Sequence, residues 1–180
     1  AQEATFKYAW FWDHPPIMKL KDSVAMRWLA YDKNGYEVDV TKTSEKCSIS
    51  YYWNNRVQFT RSGTQEPDLD FNSLNIQFDE AENFQSSTTM TEEAYAGNGY
   101  VRVSVKVEPE VHNSISYLKV AALYGHTTVG VGSPSIGLSP AGTISISFSG
   151  TINSVIDSIA GDKVKITKTE DPNSPNVSDI

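Results

Sequence analysis

The chain has one cysteine, Cys47, among its 180 residues. No intrachain disulfide can form, and the paired cysteine spacings of structural zinc sites are missing. Cys47 stands in the alternating stretch Cys47-Ser48-Ile49-Ser50-Tyr51, in phase with Ile49, and reads as a small buried hydrophobe. Long apolar runs are also missing, so no segment has the length of a membrane-spanning helix. Positive charge is scarce: 15 Lys+Arg face 22 Asp+Glu, for a net charge of −7 with no basic cluster along the chain. That balance disfavours nucleic acid and anionic membrane surfaces as partners.

The sequence also lacks catalytic signatures. Gly137-Leu138-Ser139-Pro140-Ala141-Gly142 misses the nucleophile-elbow spacing by one residue and puts proline in the turn. Gly130-Val131-Gly132 has neither the third glycine nor the following helix of a dinucleotide fingerprint, and there is no phosphate loop. His14, His112 and His126 are isolated from one another and read as surface loop residues. A non-enzymatic protein is expected.

What the chain does have is period-two alternation. Phe6, Tyr8, Trp10 and Trp12 share one face of an opening strand that Pro15-Pro16 stops. Val24, Met26, Trp28 and Ala30 alternate with Ala25, Arg27 and Leu29, a strand covered on parts of both faces. Asn34-Gly35 and Asn54-Asn55 stand between alternating segments and predict two hairpins, because these residues tolerate positive φ. Leu74, Ile76 and Phe78 mark another strand. Gly97-Asn98-Gly99 opens the clearest one, with Val101, Val103, Val105 and Val107 on one side and Arg102, Ser104 and Lys106 on the other. A strand over Ile115 to Leu123 is placed beside it. Ala-Tyr-x-x-Asn-Gly-Tyr occurs at Ala30 to Tyr36 and again at Ala94 to Tyr100, read as repeated turn chemistry.

These signals predict an all-β, antiparallel β-sandwich, immunoglobulin-like or jelly-roll-like, of roughly ten strands. The general pattern is similar to that of immunoglobulin-like surface modules, at fold level only, since the Cys…Trp…Cys framework is absent. Residues 1–124 form the main sandwich. Residues 125–168, with no formal charge from His126 through Gly150, add strands or a small C-terminal lobe, and 169–180 read as a polar tail. Ile152, Val155, Ile156 and Ile159 have helical spacing, so one short helix is expected there, with Gly161 at its end.

Two sites suggest themselves. Asp68, Asp70 and Asn72 alternate as at the opening of a calcium loop, and Asp79, with Glu80 and Glu82 nearby, supplies further oxygens. Ser73 stands where that loop needs glycine, so calcium competes with a plain solvated acidic loop; no other cofactor is indicated. Sugars bind flat aromatic faces flanked by polar groups. Trp10, Trp12, Tyr52, Trp53 and Tyr100 are available, but Trp10 and Trp12 read as core, which leaves Trp53, Tyr52, Asn55 and Arg56 as the ligand-binding candidates.

The apolar first strand also suits addition to a neighbour's sheet. Ala1-Gln2-Glu3-Ala4 resembles the remnant of a cleaved leader. The expectation is a non-enzymatic secreted or cell-surface module for adhesion or structural assembly, as a fibre, pilus or coat subunit. Its partner would be a second copy, a surface protein or a glycan. The alternative is an extracellular carbohydrate-binding or carbohydrate-active domain.

Overall fold

Phe6, Tyr8, Trp10 and Trp12 are all buried, and they cross the gap between two sheets. The computed structural model describes residues 3–13, 15, 20–65, 72–107, 115–127, 131–138, 144–149, 152–160, 163–168 and 176–179. In chain order its strands are β1 (Glu3–Phe11), β2 (Lys21–Tyr31), β3 (Glu37–Val38), β4 (Val40–Trp53), β5 (Arg56–Arg61), β6 (Thr64–Gln65), β7 (Ser73–Asp79) and β8 (Ala81–Gln85). They continue with β9 (Thr91–Val107), β10 (Tyr117–Thr127), β11 (Val131–Leu138), β12 (Ile144–Ser149), β13 (Ile152–Ala160), β14 (Lys163–Lys168) and β15 (Asn176–Asp179). All the pairings are antiparallel.

The front sheet runs β15-β1-β9-β4-β5, with β8 beside the first part of β9. The back sheet runs β14-β13-β10-β2-β7-β6, with β3 beside the end of β2. The expected β-sandwich is therefore the observed architecture. Trp10 stacks on Phe78 of β7 at 5.7 Å and meets Tyr124 of β10 edge-on at 5.6 Å, while Phe6 packs on Trp28 of β2 at 5.4 Å. Large rings interleaved this way exclude water from both inner faces. Among the described residues no helix is long and apolar enough to cross a membrane.

Both expected hairpins form. Asn54 and Asn55 adopt φ of 53° and 61° between β4 and β5, the left-handed pair a tight hairpin needs. Gly35, at φ 83°, closes the β2–β3 turn. There the Asp32 carboxylate accepts the backbone N–H of Asn34 at 2.8 Å and of Tyr36 at 3.0 Å. The second Ala-Tyr-x-x-Asn-Gly-Tyr copy does not turn: Ala94 to Tyr100 lie inside β9. Ala96 holds the position of Asp32 and has no oxygen with which to gather those amides. Instead, Ser50 pairs with Asn98 and Tyr51 with Ala96, which leaves Gly97 as a bulge. The bulge reverses the phase of burial, with Ala94 and Ala96 buried before it and Val101, Val103, Val105 and Val107 after it. β9 therefore starts at Thr91 rather than at the glycines.

Two further expectations differ. β10 pairs with β2 and β13 in the back sheet, not with β9. Ile152–Ala160, expected as a helix, is strand β13 between β10 and β14, where its β-branched residues suit a pleated surface. Within the expected polar tail, Asn176–Asp179 pairs with β1. The β11–β12 ribbon lies against β2 and β10. Consistent with that cover, Ser23, Ala25, Ser73, Asn75 and Gln77 of the back sheet are buried, and the Ser23 hydroxyl donates to Asn75 Oδ1 at 2.9 Å.

Candidate functional site

β2 and β10 of the back sheet lie against the ribbon, and the candidate site is on the outer face of the front sheet. Strand alternation decides what stands there. Phe6, Tyr8 and Trp10 point inward along β1, so Lys7, Ala9 and Phe11 point outward. By the same logic β9 presents Asn98, Tyr100 and Arg102, and β4 presents Lys46, Ser48 and Ser50. Register sets these into rows across the three strands: Phe11–Asn98–Ser50, then Ala9–Tyr100–Ser48, then Lys7–Arg102–Lys46. Tyr52 and Tyr95 pair just beyond the Gly97 bulge.

Large rings beside alanine, serine and glycine leave hollows. One, of about 400 Å³, is lined by Lys7, Ala9, Phe11, Ser48, Ser50, Asn98 and Tyr100. Its neighbour, of about 310 Å³, is lined by Phe11, Trp12, Tyr52, Tyr95, Gly97 and Asn98. Phe11 and Asn98 line both. Phe11 is 39% exposed, so its ring adds apolar surface to the groove. The Asn98 amide donates to the Tyr52 hydroxyl at 3.0 Å, which fixes the amide and leaves its carbonyl oxygen as an acceptor. Tyr52 lies directly over Gly97, where a Cβ would stand 2.5 Å from the ring, and it leans on Tyr95 with centroids 6.0 Å apart. Lys7 and Arg102 both approach the Tyr100 ring, at 5.8 and 5.4 Å. The groove thus offers aromatic surfaces, a held amide, serine hydroxyls and a cationic end. Such a set can stack flat rings and exchange hydrogen bonds with hydroxyl groups.

Of the four ligand-binding candidates read from sequence, Tyr52 lies in this groove, which Tyr100 and Trp12 of the wider aromatic set also line. Trp53 is half-buried and meets Phe84 of β8 edge-on at 5.7 Å, packed against the core. Asn55 and Arg56 are exposed at the tip of the β4–β5 hairpin, where Gln58 donates to the carbonyls of Trp53 and Arg56. Of the calcium candidates, Asp68 and Asp70 lie outside the described residues. Asn72 and Asp79 stand at opposite ends of β7, about 23 Å apart for an extended strand of that length. Glu82 pairs with Arg61 at 3.1 Å. Among the described residues no group of His, Cys, Asp and Glu is arranged to hold a metal ion.

A second polar cluster lies inside the sandwich. Asp22 and Glu80 are buried; Tyr124 donates its hydroxyl to Asp22, and Glu80 Oε2 accepts the Leu20 N–H at 2.7 Å. Burial first, then the Asp22 and Glu80 carboxylates, push the Tyr124 phenol well above its ordinary pKa. Glu80 sits where the chain crosses from β7 in the back sheet to β8 in the front one, and its backbone also bonds Leu20 and Ala96. These groups clamp the crossing, and Trp12, which lines the smaller hollow, meets Tyr124 edge-on at 6.4 Å.

Comparison with family models, curated proteins and solved structures returns no match. Phe11, Asn98, Ser48, Ser50, Ala9, Tyr95 and Lys7, which line the groove, and Arg102 beside it were not singled out from sequence. They are far apart in the chain and become neighbours through cross-strand register alone. The available sequence signal was Phe11 itself, a large apolar residue on the polar phase of an otherwise amphipathic strand.

Proposed function

We propose that this chain is a non-enzymatic, secreted or surface-displayed binding module that takes part in adhesion by holding a glycan on the outer face of its front sheet. The observation that carries the reading is the pair of hollows joined at Phe11 and Asn98. They are open and shallow, as suits a carbohydrate chain lying along a sheet. Pyranose rings present apolar faces to aromatic side chains and hydroxyls to amide and serine groups, and the groove supplies both. A glycan array followed by calorimetry on any hit tests it. Binding that Phe11→Ala weakens supports the reading; a folded protein that binds no saccharide at millimolar ligand ends it.

A second reading, structural assembly as a fibre or coat subunit, is favoured by a different observation. Among the described residues β5 is the free edge of the front sheet, and its Val57 is 49% exposed. On the other side β15 pairs with Ala9 to Phe11 of β1, so the Glu3 to Tyr8 edge is open among the described residues. Open edges accept further strands. Light scattering across a range of concentrations tests this: growth of large species supports assembly, and a monomer throughout removes it.

A further inference from the structure

The groove has a charged end, and its charge runs against that of the chain as a whole. The formal net charge is −7, yet Lys7, Arg102 and Lys46 lie side by side across three adjacent strands. Arg102 is the in-register partner of both lysines. Like charges placed directly opposite on a sheet are destabilising, and a surface built only for solubility intersperses the two signs. The neighbouring pair Glu3–Lys106 on the same two strands does so. Arg102 and Lys46 are exposed, so their heads are accessible. The row adjoins Tyr100, whose ring lies within 6 Å of both Lys7 and Arg102 and also lines the larger hollow. An aromatic platform and a row of cations therefore meet at one edge of the same groove. β15 pairs with the end of β1 one row away, with Asp179 in register with Ala9.

We propose that the groove is specific for an anionic saccharide, a sugar bearing a carboxylate or sulfate group. Its ring stacks on Tyr100 and Phe11, and its anion docks on the Lys7–Arg102–Lys46 row. This rests on the glycan reading above and narrows it to a ligand class. Arginine is suited to the task, because its planar fork matches the geometry of a carboxylate or sulfate with two parallel hydrogen bonds. The overall negative charge repels polyanions at long range, so binding depends on the local row and weakens as salt rises.

The test is calorimetric titration of the whole chain with oligogalacturonate, sulfated dextran, neutral dextran and polyglutamate, for the wild type and for Arg102→Gln. Arg102 is exposed, and an unchanged melting temperature shows that the variant is folded. The expected result is binding of at least one anionic saccharide, a loss of roughly tenfold or more in Arg102→Gln, and little binding of neutral dextran or polyglutamate. Oligogalacturonate alone identifies a carboxylate ligand, and sulfated dextran alone identifies a sulfate ligand. Equal binding of polyglutamate overturns the proposal, since bare charge then suffices. Neutral dextran binding that is indifferent to Arg102→Gln overturns the anionic class while leaving the glycan groove standing. Absence of binding to all the saccharides overturns both.

Discussion

Gly99 of β9 pairs in register with Trp10 of β1, and a Cβ on Gly99 would stand 2.4 Å from the indole. The indole occupies the volume that any other residue's side chain would claim. Gly99→Ala must therefore push a buried ring that also stacks on Phe78 and abuts Tyr124. Overpacking of this kind costs about 1–3 kcal/mol. Urea unfolding should show the midpoint falling accordingly. A change within experimental error would mean that the indole has room to move.

The two asparagines of the β4–β5 turn both hold left-handed φ, a conformation that costs most other residues roughly 1–2 kcal/mol. Asn55→Gly should leave stability equal or slightly higher, whereas Asn54→Ala and Asn55→Ala should each lower it by about 1 kcal/mol. Asp32→Ala should cost more than either, because it strands the Asn34 and Tyr36 amides at once. Thermal unfolding of the four variants side by side gives the ranking.

These turns were legible in the sequence because their chemistry is local. So was the stripe of Phe6, Tyr8, Trp10 and Trp12, since alternation within one strand needs no partner. The bulge was not. Gly97 resets the phase inside β9, so a period-two reading breaks there and mistakes the middle of a long strand for its start. Ile152–Ala160 misled for another reason: its apolar spacing fits a helix, and its pairing to β10 decides otherwise. The groove was partly legible. Tyr52 and Tyr100 were visible as aromatics, but no reading of one strand at a time aligns Lys7 with Arg102 and Lys46.

Stability should fall on the alkaline side. Burial, with Glu45 adding to it, pushes the Cys47 thiol from its ordinary 9.0 up to about 12. Tyr51 and Tyr124 are raised above 10.0, again chiefly by burial. Each group is neutral when protonated, and the folded chain keeps a proton that the unfolded chain releases. Their contribution is therefore complete below about pH 9 and is lost as pH rises, by about 1.4 kcal/mol per pH unit for each group in its window. Urea midpoints from pH 8 to 11 should show the decline. Cys47→Ala should remove the part beginning near pH 9, and native Cys47 should react slowly with iodoacetamide at pH 8. A flat profile would contradict the burial of Tyr51 and Tyr124 and the partial burial of Cys47.

Trp53 and Tyr52 are adjacent in the chain but point to opposite sides of β4. Trp53→Ala removes the edge contact to Phe84 and should lower stability by about 1–2 kcal/mol while leaving saccharide binding intact. Tyr52→Phe keeps the ring over Gly97 and removes the acceptor for the Asn98 amide, so it should weaken binding with little loss of stability. Melting curves and titrations on the same two variants separate the roles. The reverse pattern would move the site to the hairpin tip.

The pairing of β1 with β9 has a consequence during synthesis. Glu3 waits for Lys106 and Phe11 for Asn98, so the strand with the densest run of buried aromatics emerges about a hundred residues before its partner. At a ribosomal pace of roughly 5–20 residues per second, Phe6, Tyr8 and Trp10 spend on the order of 5–20 s without the sheet that will cover them. For that interval the nascent chain displays a sticky ribbon, which makes it a natural client for a chaperone that grips extended apolar segments.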